Sequence, residues 1–154
     1  MRLVDYTSVH SFLPRQDSPD LTDAVKRLVD SFAAAGAVRE PARLLEEIMR
    51  REQEGSTALA SGLAIPHARA DLVDTLHLGV ATLAHPVEPG NETPAPIDVV
   101  ILIVGPRGDP RHMLRILARL ARVVKHGALL PRLRDSSTPE AMREALLDAE
   151  AARA

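Results

Sequence analysis

Apolar residues recur along this chain with two different periods. In the stretch SPDLTDAVKRLVDSFAAAG, Leu21, Ala24, Val25, Leu28, Val29 and Phe32 stand three and four apart, which gathers them on one stripe of a helix. Ser18 and Pro19 open that helix and Gly36 closes it. REPARLLEEIMRREQEG repeats the pattern, with Pro41 near its start, Leu44, Leu45, Ile48 and Met49 on one side, and Gly55 after its end. The period then changes. LHLGVATLA (76–84) and IDVVILIVG (97–105) are aliphatic and β-branched and read as strands, the second an unbroken run of the kind covered on both faces. Between them, HPVEPGNETPAP is a loop, because its prolines and glycine continue neither element.

The clearest helix follows in GDPRHMLRILARLARVV. Asp109 is its N-cap, Pro110 suits its first position, and Met113, Leu114, Ile116, Leu117, Leu120, Val123 and Val124 form the predicted buried stripe. Arg111, Arg115, Arg119 and Arg122 fall on the other side, either as a solvated face or as a docking surface for an acidic partner. A last helix begins at Thr138 and Pro139 and runs through EAMREALLDAE. Helix, helix, strand, strand, helix, helix, with extended pieces around 63–65, predicts an α/β fold: a mixed sheet flanked by helices, in one domain over 1–154.

Composition narrows the chemistry. Apolar residues make up 45% of the 154 positions, enough for a real core. The formal charge of −2 offers no basic field to hold nucleic acid or an anionic membrane, so neither is an expected partner. Cysteine is absent, which removes disulfides, thiolate catalysis and cysteine-based zinc sites and fits a reducing compartment. The N-terminal stretch is too polar for a signal peptide, and the longest aliphatic run is too short to span a bilayer, so a cytoplasmic protein is expected. With one Tyr, two Phe and no Trp, stacking platforms for bases are not expected either.

Two of the six histidines sit where local sequence dictates geometry. His67 follows Pro66, which locks its own φ and pushes Ile65 into an extended conformation, so the imidazole is presented from a stiff mount. That mount serves a working histidine or a turn. The preceding loop, GSTALASG, is built of small residues, and Ser56, Thr57 and Ser61 offer hydroxyls and close backbone amides to a ligand. His112 is the third residue of its helix, in the turn whose free amides favour an anion. If the fold brings the two together, one imidazole attacks phosphorus while the other holds the charged group. Histidine suits this task because its ordinary pKa of about 6.5 leaves much of it neutral at cell pH. His10, His77, His85 and His126 read as ordinary surface or hydrogen-bonded histidines. The zinc, nucleotide-loop, nucleophile-elbow and dinucleotide signatures are all missing, and no acidic residue at ligand spacing completes a metal site with His67 and His112.

REQEGSTALASGLAIPHAR (51–69) resembles the active-site signature of the fructose, mannitol and nitrogen type of enzyme IIA domains of the bacterial phosphoenolpyruvate:sugar phosphotransferase system. PIDVVILIVGPRGDPRHMLRILARLARVV (96–124) resembles their second signature, and the likeness extends over nearly the whole chain. It implies the mannitol-type α/β fold. It implies that His67 is phosphorylated by the histidine-containing phosphocarrier protein or its nitrogen-branch paralogue, that His112 is the second active-site histidine, and that Arg51 neutralises phosphoryl charge. No metal or organic cofactor is implied. The next acceptor is a permease IIB domain; alternatively phosphorylation switches binding to transporters, kinases or transcription factors. The family commonly carries further glycines and an asparagine after Ser-Thr, where this chain has Ala58, Ala60 and Ser61, so a stiffer or reshaped loop is expected.

Overall fold

The computed structural model describes residues 2–59, 61–89 and 95–152. Two short 3-10 turns, Leu3–Tyr6 and Val9–Ser11, lead into β1 (Phe12–Gln16). Then come α1 (Leu21–Ala34), α2 (Pro41–Glu54), β2 (Leu63–Ala64), β3 (His67–Ala70), β4 (His77–Val87), β5 (Ile97–Pro106), α3 (Pro110–Lys125), α4 (Leu129–Asp135) and α5 (Pro139–Ala151). The sheet runs β1-β4-β5-β2, with β3 also on β5. β4 is antiparallel to β5, while β1 is parallel to β4 and β2 and β3 are parallel to β5, which gives the expected mixed sheet.

Helices cover both faces. On one, α1 and α2 pack stripe positions such as Val25, Leu28, Leu44 and Ile48 against Val100, Leu102 and Val104 of β5. On the other, Met113, Ile116 and Leu120 of α3 meet Val99, Ile101 and Ile103, joined by Leu129 and Leu133 of α4 and Met142 and Leu146 of α5. Both sides of β5 are thus buried, which is why its sequence shows no alternation.

Several boundaries differ from those read in the sequence. Asp20, not Ser18 or Pro19, caps α1, its carboxylate accepting the Asp23 N–H at 2.8 Å. The strand β4 continues through His85 to Val87 into the stretch read as loop, and residues 90–94 of that stretch lie outside the described residues. Leu114, assigned to the buried stripe of α3, is 68% exposed, because seven positions make too wide an arc for one helix face. β1 and α4 have no counterpart in the sequence reading. The caps Asp109 and Thr138 stand as read, accepting the N–H groups of His112 at 3.3 Å and Ala141 at 3.1 Å.

One charged group ties three segments of the second layer together. Glu150 of α5 is 3% exposed; its carboxylate accepts the N–H groups of Leu3 at 2.8 Å and Val4 at 3.2 Å and the Arg119 Nε–H at 2.8 Å. Arg119, one of the α3 arginines, is therefore part of the interior scaffold. Removing the carboxylate strands two buried amides and an arginine at once. Glu150→Ala is expected to cost about 3 kcal/mol, seen as a lower urea midpoint with an unchanged slope; a midpoint equal to wild type would exclude this role.

Candidate functional site

Pro66 lacks an N–H, so it cannot donate to β5, and the edge strand is interrupted there. β2 and β3 nevertheless keep one register along β5: Leu63 pairs with Val99 and Ala64 with Val100 before the break, His67 with Ile103 after it. The Pro66 carbonyl accepts the Ile103 N–H at 3.1 Å, which holds the proline against the sheet despite its missing donor. Ala68 and Ala70 turn inward and are buried, whereas His67 is half-buried at the sheet edge.

The His67 ring is oriented by its own backbone. Nδ1 lies 2.9 Å from the Ile65 carbonyl oxygen. A carbonyl can only accept, so the bond requires the proton on Nδ1, and the neutral ring then carries its lone pair on Nε2. Around the ring is a hollow of about 250 Å³ lined by Arg51, Glu52, Glu54, Gly55 and Thr57. Arg51, in the last turn of α2, is exposed, and its guanidinium makes no hydrogen bond or ion pair to the described residues. Arg51 also lines the neighbouring hollow with Arg50, Arg69 and Arg107, among which stand Glu47 and Glu54. The structure brings His67, Arg51 and Thr57 to one hollow.

The other sequence-selected residues are placed differently. His112 stands at the first turn of α3 with its ring edge-on to Tyr6, centroids 5.3 Å apart, and lines a separate cleft of about 600 Å³ together with His77, Phe32 and Asp109. Ser56 Oγ accepts the Ala58 N–H at 3.1 Å and sits 3.4 Å from Glu52 Oε2. Ser61 is exposed and its carbonyl accepts from Arg134, which is also paired with Asp98 through Nε at 2.9 Å and Nη2 at 2.8 Å. Neither Ala58 nor Ser61 adopts positive φ; among the described residues of the loop the left-handed position is Gly62 at +89°, where a Cβ would lie 2.8 Å from the Asp98 carboxylate. The substitutions at 58 and 61 are therefore free of backbone strain. Ala60 lies outside the described residues.

Glu52 was missed by sequence reasoning. It is 5% exposed, and its two oxygens each serve Thr57: Oε2 accepts the backbone N–H and Oε1 the hydroxyl, both at 2.9 Å. A signal existed, since position 52 continues the stripe of Leu44 and Ile48 at spacings of four.

A family match now bears on this geometry. Residues 6–149 match the family described as the phosphoenolpyruvate-dependent sugar phosphotransferase system, EIIA 2. The chain belongs to that family. It is 33% identical over 129 residues to the PTS system 2-O-alpha-mannosyl-D-glycerate-specific EIIABC component of Escherichia coli, a match that covers 82% of this chain and 20% of that protein. Against the nitrogen regulatory protein of Bradyrhizobium diazoefficiens the identity is 27% over 146 residues, covering 95% of each. The fold is that of the nitrogen regulatory protein IIA-Ntr from Neisseria meningitidis, with a TM-score of 0.84 at 19% identity over 94% of this chain and 98% of that one. It is shared by Escherichia coli IIAMTL, seen in complex with phosphorylated IIBMTL, with a TM-score of 0.76 at 17% identity over 92% and 96% of the two chains. The EIIA 2 assignment thus agrees with the mannitol-type fold expected from the signatures. Among the described residues, no group of three or more His, Cys, Asp or Glu side chains is arranged to hold a metal ion. No described helix is long and apolar enough to cross a membrane.

His77 lines the larger cleft beside His112 and Asp109. Burial against Phe32, ring centroids 5.8 Å apart, pushes its imidazole below the ordinary 6.5, and Thr75 Oγ1 lies 3.1 Å from its Nε2. The unfolded chain then binds a proton at this ring at a pH where the folded chain does not, so stability falls as pH drops below 6.5 and levels off once the folded ring is also protonated. Between about pH 7.5 and about pH 5.5 wild type is expected to lose more stability than His77→Gln. Equal losses in urea unfolding for the two proteins would contradict this.

Proposed function

We propose that this chain is a cytoplasmic phosphohistidine carrier, in which His67 accepts a phosphoryl group from a histidine-containing phosphocarrier protein, or its nitrogen-branch paralogue, and passes it to a permease IIB domain. The observation that carries the reading is the Nδ1–H bond to the Ile65 carbonyl, which leaves Nε2 of His67 as the nucleophile in a hollow that Arg51 also lines. In the transfer, the Nε2 lone pair forms a bond to phosphorus as the donor's P–N bond breaks, and the donor imidazole departs with that electron pair. The His67 ring becomes positively charged while it carries the phosphoryl group, and its Nδ1–H donates to the Ile65 carbonyl throughout. Arg51 meets the transferring oxygens. Family membership supports the phosphoryl chemistry, and the EIIABC relative supports a IIB domain as the acceptor.

The reading requires His67 and Arg51, whereas the resemblance also gives His112 a place on the same phosphate. Incubation with phosphoenolpyruvate, enzyme I and the phosphocarrier is expected to leave one acid-labile phosphate on the wild type and none on His67→Ala. Arg51→Ala is expected to be labelled about 100-fold more slowly, and His112→Ala to take up label still. Undiminished labelling of His67→Ala would defeat the assignment.

A second reading is favoured by the match to a nitrogen regulatory protein over 95% of both chains. In it, the phosphoryl group places a doubly negative group on a ring that has become positive, and so switches the binding of a regulatory target. Recovery of a IIB domain on wild type but not on His67→Asp supports the carrier; recovery of transporters, kinases or transcription factors alone supports the switch.

A further inference from the structure

We infer that Glu52 is a positioning residue for His67, acting through Thr57 and the Ile65 backbone; the inference rests on the reading of His67 as the phosphoryl acceptor. The Glu52 carboxylate is buried at the end of α2 and holds Thr57 with both oxygens, Oε2 also lying 3.4 Å from Ser56 Oγ. Because Oε1 takes the Thr57 hydroxyl proton, the lone pairs of Thr57 Oγ1 face outward, and one of them accepts the Ile65 N–H at 3.0 Å. With its amide held, Ile65 has little freedom left, since a residue before proline is confined to extended backbone. The Ile65 carbonyl therefore points where the chain directs it, to His67 Nδ1 at 2.9 Å. On the far side, the bond from Ile103 N–H to the Pro66 carbonyl fixes the next peptide as well.

The chemical groups along this series fix the direction of each bond. A carboxylate accepts only, so the hydroxyl must donate to it; the hydroxyl oxygen must then accept from Ile65; the Ile65 carbonyl must accept from Nδ1. Glu52 and Thr57 thus act on the ring through the placement of the Ile65 peptide, whose carbonyl keeps the proton on Nδ1 and leaves Nε2 free. Glutamine at 52 has one acceptor oxygen and an amide donor, so it faces one of the two Thr57 donors with a donor of its own.

The test reads the tautomer directly, from two-bond proton–nitrogen correlations in protein labelled with nitrogen-15 histidine, above the pH range in which histidine ionises. Wild type is expected to show His67 with Nδ1 protonated. Glu52→Gln and Thr57→Val are expected to show a mixture with the Nε2–H form and to accept phosphoryl about tenfold more slowly, with Thr57→Ser restoring both within about twofold. Glu52→Gln preserves side-chain volume, so the test does not depend on Thr57→Val folding. Wild-type tautomer and rate in Glu52→Gln overturn the inference, as does a slowed Thr57→Ser. The tautomer is read without any donor: His67 labelled normally with the tautomer unmoved sinks the inference alone, whereas an unlabelled wild-type His67 sinks the carrier reading.

Discussion

The imide linkage between Ile65 and Pro66 constrains the site more than any other single feature. A strand residue ordinarily holds its place through both its N–H and its C=O. Here the proline has no N–H and the carbonyl before it is turned away from the ladder, to the imidazole two residues on. The edge of the sheet should fray at such a point. It does not, because β2 and β3 stay in register on β5 from either side and the Pro66 carbonyl keeps its own ladder bond. The proline thus costs the sheet one donor, while Ile65, on the open side of the edge strand, gives its carbonyl to the ring.

Much of the architecture was visible in the sequence because local and long-range preferences agree there. α3 has a capping aspartate, a proline at its first turn and a strong apolar stripe, and its start stands where those residues put it. β1 was hidden because FLPRQ contains a proline and an arginine with φ of +50°, neither of which reads as strand; its place is set by pairing with β4. α4 was hidden because it is only seven residues long with Pro131 in its first turn, and no side chain caps it. Its helicity comes from Leu129, Leu130 and Leu133 packing under the sheet. Of the site, His67 was legible from Pro66 and the small-residue loop, but the ring's tautomer was not, since it depends on a carbonyl direction that only the folded backbone defines.

Glu52 and Glu150 share a sequence signature that charge alone conceals. Each occupies the last turn of its helix at a position that continues the apolar stripe, four after Ile48 in α2 and four after Leu146 in α5. Each is nearly fully buried, and each accepts backbone N–H groups from a neighbouring segment: Thr57 of the loop in one case, Leu3 and Val4 at the start of the first 3-10 turn in the other. A carboxylate on an apolar stripe is costly unless donors meet it. Irregular segments have unpaired donors to offer, so the two needs meet at a helix end. One such node pins the loop that leads to His67 and the other pins the N-terminal turns against α3, whose first turn carries His112.

The same reasoning bears on how strongly a site of this kind should hold a phosphate. A group that is to be handed on must not be bound much more tightly in the resting state than in transit, because affinity spent on the loaded form raises the barrier to unloading. A buried cluster of paired arginines around the ring would do just that, since charge interactions strengthen as water is excluded. Here the ring is half-buried on a sheet edge and Arg51 is exposed, so in the proposed transfer solvent screens its attraction for the phosphoryl oxygens. What the interior supplies in the proposed transfer is direction: Glu52, Thr57 and Ile65 hold the neutral ring through bonds that need not change as a phosphoryl group comes and goes. Orientation fixed in advance speeds transfer both ways, whereas added affinity speeds only the first.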